Sequence, residues 1–313
     1  MSFHPHIRPN LRHSLRHTMR HSLRMVRYAC EMVLAFVFIG LFRLLGVQAG
    51  GAFASALARS IGPFTPTHKM ALQNIARAFP EKSADEVAAI MQGVWDNMGR
   101  VVSEHANLDI IRRNHKQYIQ IEHAERALQA VKQGRGLIIY SAHMANWEIM
   151  SMSIVLIGLQ AIGIYRHANN PFFNAWLTKK RKRTVIAEQI PKGVQGARML
   201  VKKLKQKAVI CILMDQKMND GVAVKFFGRT AMTASAPASM ARRYNVPLLM
   251  VSAERLIDNQ FKITFHEPME AITTDNQAQD ILTMTQQLND NIEAVIRKNP
   301  HQWFWLHKRW PEN

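Results

Sequence analysis

Cysteine is nearly absent: Cys30 and Cys211 are the only two in 313 residues. That excludes a disulfide scaffold and a Cys-rich zinc module, and it suits a reducing compartment. Acidic residues are also scarce, with 22 Asp+Glu against 41 Lys+Arg and a formal charge of +19. Long uncharged apolar runs are too few for a polytopic membrane protein. No linker rich in Gly, Ser or Pro follows residue 66. Neither His-Glu-x-x-His nor Gly-x-Ser-x-Gly occurs, so the signatures of a zinc protease and of a serine nucleophile elbow are missing. What is present is apolar material, 48% of the chain, which excludes a disordered protein. The length fits one large domain or two smaller ones. The excess positive charge calls for a partner: nucleic acid, anionic lipid or a polyanionic substrate.

Much of that charge lies at the front. Residues 1–27 carry Arg8, Arg12, Arg16, Arg20, Arg24 and Arg27 and no acid. Residues 11–24 repeat Leu-Arg-His-Ser with small variations, so Leu11, Leu15, Met19 and Leu23 recur every four residues, as do the arginines. On a helix a period of four drifts by about 40° per repeat, so the apolar and basic rows keep to separate faces. A basic amphipathic helix reads as membrane-surface; a charge-rich disordered arm is the alternative. From Met32 to Ala58 the chain is apolar, broken only by Arg43. It is a poor signal peptide, with an overlong basic region and no clear cleavage site. As a membrane helix it is marginal, because Glu31 and Arg43 bracket a short stretch and Arg43 would have to snorkel. A buried core helix would leave the basic arm beside it unexplained. The expected division is an arm at 1–27, an apolar membrane-associated segment at 28–62 and a single domain at 63–313.

Beyond residue 66 the pattern predicts helices over 66–79, from a Ser83…Glu86 capping box to about Ala106, and near 122–133. Short apolar runs then predict buried strands at Gly136–Ser141, Leu159–Tyr165, Ala208–Met214, Val246–Ala253 and Phe261–Phe265. Helices are expected between them at 145–157, 171–183, 193–205 and 232–243, and a last one over 276–298. Strands alternating with helices argue for an α/β domain with a largely parallel central sheet.

Three clusters carry chemistry, each at an expected strand end, where open α/β sheets place their sites. The first is Ser141-Ala142-His143-Met144-Ala145-Asn146-Trp147-Glu148. With His143 in the turn and Glu148 in the first turn of the next helix, the pair could take a proton from an alcohol. A structural histidine is the plainer reading. The second is Tyr165-Arg166-His167-Ala168-Asn169-Asn170-Pro171, where Arg166 could grip a phosphate or a carbonyl oxygen. Downstream, Lys179 to Arg183 are five consecutive cations, either a solvated face or an anion funnel. The third is Met214-Asp215-Gln216, followed by Gly221-Val-Ala-Val-Lys-Phe-Phe-Gly228. Asp215 should stand near His143 if their strands are neighbours. The closing Gln302-Trp-Phe-Trp-Leu-His-Lys-Arg-Trp-Pro311 interleaves aromatic and basic residues, which fits a lipid-facing edge or stacking on nucleic acid.

Taken in order, these motifs resemble the bacterial lipid A late acyltransferases over roughly residues 30–311. The Asn74…Phe79-Pro80 and Asn97-x-Gly-Arg100…Glu104 patterns are similar to that family as well. The resemblance implies a glycerolipid-acyltransferase-like α/β fold with an N-terminal membrane-associated helix. The implied reaction moves a lauroyl or myristoyl chain from an acyl carrier protein thioester to a hydroxyacyl chain of a lipid A precursor. It implies candidate catalytic residues: His143 as general base, Glu148 to orient it, and Asp215 as the rival carboxylate. Asn146 and Arg166 are candidate oxyanion donors, Arg166, Arg181 and Arg183 are candidates for phosphate contact with Lys180 and Lys182 assisting, and Asn169 joins the candidate substrate-binding set. No cofactor and no metal is expected. The expected partners are acyl carrier protein, an anionic glycolipid and the membrane, and not nucleic acid; the expected place is the cytoplasmic face of the inner membrane. An acyl-CoA-dependent lysophospholipid or glycolipid O-acyltransferase is the alternative. Because the thioester donor is cytosolic, the apolar segment is expected not to cross the bilayer.

Overall fold

The computed structural model describes residues 11–186 and 188–310; Met1 to Asn10 of the expected arm lie outside them. A long helix, α1, runs from Leu11 to Ile61 and breaks at Gly46, whose φ of 74° is left-handed backbone that glycine adopts without cost. A short 3-10 turn then leads into α2 (Pro66–Ala78) and α3 (Ala84–Arg113). The capping box at the start of α3 is formed in both directions between Ser83 and Glu86, but α3 continues seven residues past the expected end at Ala106.

One-turn α4 (His115–Tyr118) and the short strand β1 (Ile119–Glu122) follow, then α5 (Ala124–Lys132), β2 (Leu137–Ser141), α6 (Trp147–Leu156), β3 (Ala161–Tyr165) and α7 (Pro171–Thr184). The chain continues through β4 (Glu188–Pro191), α8 (Val194–Lys205), β5 (Val209–Leu213) and a hairpin of β6 (Val222–Phe226) and β7 (Arg229–Thr233). It ends with α9 (Ala236–Tyr244), β8 (Leu248–Arg255), β9 (Phe261–Met269) and α10 (Gln277–Lys298). The sequence pattern misses β1 and β4, which at four residues each are too short for their pattern to stand out, and it misses the β6–β7 hairpin. Helix α9 starts later than expected because Met232 and Thr233 finish β7.

The seven-stranded sheet has the order β1-β9-β8-β2-β5-β3-β4. All its pairings are parallel except β8 with β9, so the α/β class with a mostly parallel sheet holds. Strand β2 is buried at every position, as a central parallel strand covered on both faces must be. One face packs Ile138, Tyr140, Ile210 and Ile212 with α10; the other packs Ile139, Cys211 and Leu249 with α6.

Helix α1 lies against this body. Its second leg approaches α3 so closely that a Cβ on Gly99 would sit 2.4 Å from the Ala54 carbonyl oxygen. Its first leg touches α7: the Asn170 amide donates to the Tyr28 carbonyl at 2.9 Å and to Glu31 at 3.1 Å, and Phe36 meets Trp176 edge-on. Arg43 does not snorkel. It forks onto Asp109 of α3 at 2.7 and 2.8 Å, so the charge expected to interrupt a membrane span instead ties the helix to the domain. The outward side keeps Val33, Leu34, Val37 and Leu44 between 58% and 86% exposed.

The aromatic end of the chain is neither a lipid-facing edge nor a stacking platform. Trp303, Trp305 and Trp310 are buried, and so is Arg309, which donates to the Met232 carbonyl and Thr233 and lies over the Phe226 ring. The β6–β7 turn at Phe227-Gly228, both at positive φ, turns the two phenylalanines into this cluster.

Candidate active site

Strand order decides which residues meet. Strand β5 inserts between β2 and β3, and β2 pairs with it so that Ser141 faces Leu213. His143 and Asp215, each two residues beyond these partners, therefore emerge side by side at the carboxyl edge of the sheet. His143 Nδ1 lies 2.8 Å from Asp215 Oδ1, and the His143 backbone N–H donates to Oδ2 at 2.9 Å. The Trp303 indole N–H donates to the same Oδ2 at 2.7 Å. Burial alone would raise the Asp215 carboxyl, but the His143 ring and its hydrogen bonds outweigh it and hold the group far below the usual carboxylate range. An ionised carboxylate only accepts, so Nδ1 carries the hydrogen and Nε2 is the free nitrogen of the ring.

The turn holding His143 is fixed from behind. Ala145 sits at φ 46°, and its N–H donates to the Gln302 carbonyl at 2.9 Å; Phe304 N–H donates to the His143 carbonyl at 3.1 Å. Asn146 is a correction to the expected oxyanion donors. It is fully buried and caps α6, accepting from the N–H groups of Glu148 and Ile149, while its amide donates to Glu104 at 2.8 Å. Glu104 in turn forks with the half-buried Arg255, whose Nε donates to Asn97 at 2.9 Å. Asn97, Glu104 and Arg255 are thus framework, which accounts for the Asn97…Glu104 pattern.

Glu148, expected to orient His143, makes no hydrogen bond to it. Its buried carboxylate is gripped by the Arg181 guanidinium, with Nε 2.9 and 3.0 Å from the two oxygens, and His105 Nε2 stands 3.7 Å away. Burial would raise this carboxyl too, and His105 and Arg181 reverse it to well below its ordinary value. Arg181 is therefore held internally and is not free for phosphate. Lys180 is likewise engaged, by Asp109 and the Ala106 carbonyl.

These groups border a cleft of about 490 Å³. At its mouth stand His143, the rings of Trp147 and Phe304 with centroids 5.1 and 6.1 Å from the imidazole, and the side chains of Arg166 and Gln216. Arg166 is exposed and unpaired among the described residues, so it is free to meet an anion or an oxyanion. Gln216 is a lining amide that sequence reasoning passed over, although it follows Asp215 directly. Asn169 and Arg183, both exposed, lie outside the lining. A larger polar hollow of about 900 Å³ lies behind the Arg255 framework, between Gln48, Arg100 and Asn259, and does not include His143.

An imidazole with one nitrogen fixed by a carboxylate, at the mouth of a half-apolar cleft, is equipped to deprotonate a hydroxyl. Residues 16–312 match the family described as bacterial lipid A biosynthesis acyltransferase. A lipid A biosynthesis palmitoleoyltransferase of Escherichia coli K12 is 23% identical over 269 residues, covering 83% of each chain. A lipid A biosynthesis acyltransferase of Shigella flexneri matches with the same figures. A crystal structure of the 1-acyl-sn-glycerophosphate acyltransferase of Thermotoga maritima aligns at a TM-score of 0.40 and 12% identity, over 88% of this chain and 99% of that one.

Proposed function

Since the chain belongs to the bacterial lipid A biosynthesis acyltransferase family, we propose that it moves a lauroyl or myristoyl chain from an acyl carrier protein thioester to the hydroxyl of a hydroxyacyl chain on a lipid A precursor. One observation carries the reading: His143 Nδ1 is tied to Asp215 in a ring that lines the cleft, which leaves Nε2 as the nitrogen available to a substrate. The acceptor hydroxyl gives its proton to Nε2 as its oxygen attacks the thioester carbonyl. The negative charge that develops on the carbonyl oxygen falls where Arg166 and Gln216 can donate. The carbon–sulfur bond then breaks. The thiolate leaves with the proton returned by the imidazolium or leaves unprotonated, since thiols ionise readily. Asp215 stabilises the imidazolium and fixes its ring; it does not take the proton. Glu148 and Arg181 hold one wall of the cleft rather than polarise the base.

The same reading places the enzyme on the cytoplasmic side of the inner membrane, with the exposed face of α1 in the lipid. Removing each of Val33, Leu34, Val37 and Leu44 from water is worth about 1.5–3 kcal/mol. Contacts with the domain start at Tyr28 and continue through Arg43 to the Gly99 crossing. From residue 28 to 46 the helix covers about 27 Å, and it follows the protein over that distance instead of leaving it, which favours a helix lying in one leaflet.

The test is transfer from lauroyl- and myristoyl-acyl carrier protein to a tetra-acylated lipid A precursor, read by product mass. Wild type gains one acyl chain, and His143→Ala loses the transfer by about 10³-fold or more. Transfer that survives His143→Ala in folded protein refutes the assignment of the base. Transfer from acyl-CoA but not from the carrier protein refutes the donor.

A further inference from the structure

Gly163 stands in the middle of β3, between β5 and β4, with Cys211 and Gln189 as its register partners. Glycine weakens a strand, and inside one it usually marks a tight bend, a bulge or a close approach. None of these applies here. Its φ is not left-handed, and an added Cβ would meet only the side chain of Ile186, at 3.6 and 3.8 Å, which is ordinary contact. The backbone and the packing would both accept a larger residue.

What the missing side chain leaves is room. Gly163 lines the catalytic cleft together with Cys211, Ser151, Val185 and Ile186. It lies on the same sheet face as Cys211, two residues below Leu213 at the sheet edge, which is a depth of about 7 Å by strand rise. Small side chains on the sheet and on α6 thus extend the cleft inward from His143, toward the Ile186 wall.

We infer that Gly163 and Ile186 set the length of the acyl chain that the cleft accepts, with the end of the chain lying between them. The inference rests on the acyl-transfer reading above and deepens it. A side chain at 163 fills the inner end of the trough, so the last methylenes of a long chain have no place to bury. Trimming Ile186 opens the same end. Burial of one methylene is worth about fourfold in selectivity, and two give more than tenfold.

The experiment offers a mixture of octanoyl, decanoyl, lauroyl, myristoyl and palmitoyl thioesters on acyl carrier protein, with a lipid A precursor as acceptor. Product masses are compared for wild type, Gly163→Ala, Gly163→Val and Ile186→Ala, each checked for folding by thermal melting. The expected result is a shift to shorter chains for the two Gly163 variants, by more than tenfold in product ratio for valine, and a shift to longer chains for Ile186→Ala. If Gly163→Val does not fold, the opposite shifts of Gly163→Ala and Ile186→Ala carry the test. Folded, active variants with the wild-type chain profile overturn the inference and leave the acyltransferase reading standing. A wild type that transfers no chain from any donor overturns both.

Discussion

Replacing Asp215 by asparagine tests the base assignment more sharply than removing the base. The buried carboxylate accepts from three groups: His143 Nδ1 on Oδ1, and the His143 backbone N–H and Trp303 Nε1 on Oδ2. An amide has one acceptor oxygen and one donor NH₂ in the same outline. If the NH₂ took the Oδ2 position it would face two N–H donors that cannot rearrange, at about 1–3 kcal/mol for each unmatched buried group. The oxygen therefore stays at Oδ2 and the NH₂ faces His143 Nδ1. That nitrogen must become an acceptor, so the ring proton moves to Nε2, where the acceptor hydroxyl needs a lone pair. The same exchange behind the histidine of serine proteases lowers kcat by about 10⁴ through the wrong tautomer. The expectation for Asp215→Asn is a fall in kcat of about 10³–10⁴ with little change in KM. The loss of charge-assisted bonding lowers stability by only about 1–3 kcal/mol. The assay is steady-state acyl transfer beside a thermal melt in the same detergent. Asp215→Ala should melt lower still, because it strands the Trp303 indole in a buried space. A folded Asp215→Asn enzyme within tenfold of wild type would refute the tautomer argument, and His143 would no longer be the base it describes.

Asn146→Ala removes the α6 cap and a hydrogen bond to Glu104, so stability should fall by about 1–3 kcal/mol; denaturant melts that match wild type within 0.5 kcal/mol would contradict the framework role. Asp215, Glu148 and Asp109 all hold their carboxyls below ordinary values. The unfolded chain takes up protons near pH 4 and the folded one does not, so the stability these groups give is complete above about pH 5 and is lost as pH falls further. Melting temperature should therefore hold down to about pH 5 and drop between about pH 5 and pH 3, and a flat profile over that range would mean that the three pairs add nothing to folding. A protease added outside intact cells should leave the C-terminus uncut, and digestion there would sink the one-leaflet arrangement of α1.

Much of the fold was legible because strands and helices alternate with clear apolar runs and clear caps. The meeting of His143 and Asp215 was legible only as a conditional. Two strands, β3 and β4, intervene in sequence between β2 and β5, and only the sheet order removes them. Glu148 was the nearer carboxylate in sequence, yet α6 turns it toward Arg181 and His105. The role of Asn146 was written in its position, one residue before a helix, where an asparagine caps more readily than it donates to substrate. The tryptophans at 303, 305 and 310 mislead for another reason: an aromatic and basic alternation looks alike whether it faces lipid or is folded into a core, and the β6–β7 hairpin that covers it is remote in sequence. Arg43 mislead similarly, because its partner Asp109 lies on another helix.

The motifs extend over most of the chain because the site is held by most of the chain. The turn after β2 presents His143, the turn after β5 supplies Asp215, and the last turn of the chain closes over both through Trp303 and the Gln302–Ala145 and Phe304–His143 backbone bonds. Behind them α3 contributes Asn97, which donates to the carbonyls of both Ala145 and Gln302 and so joins the His143 turn to the closing segment. Arg255 at the end of β8 locks Asn97 and Glu104 together from the far side. A base that must meet a hydroxyl within hydrogen-bond reach tolerates little drift. The turn that carries the proposed base, His143, has no long rigid element of its own, so its position is set by three segments distant in sequence. Weakening any one of them, even where no substrate touches it, should lower kcat before it unfolds the sheet.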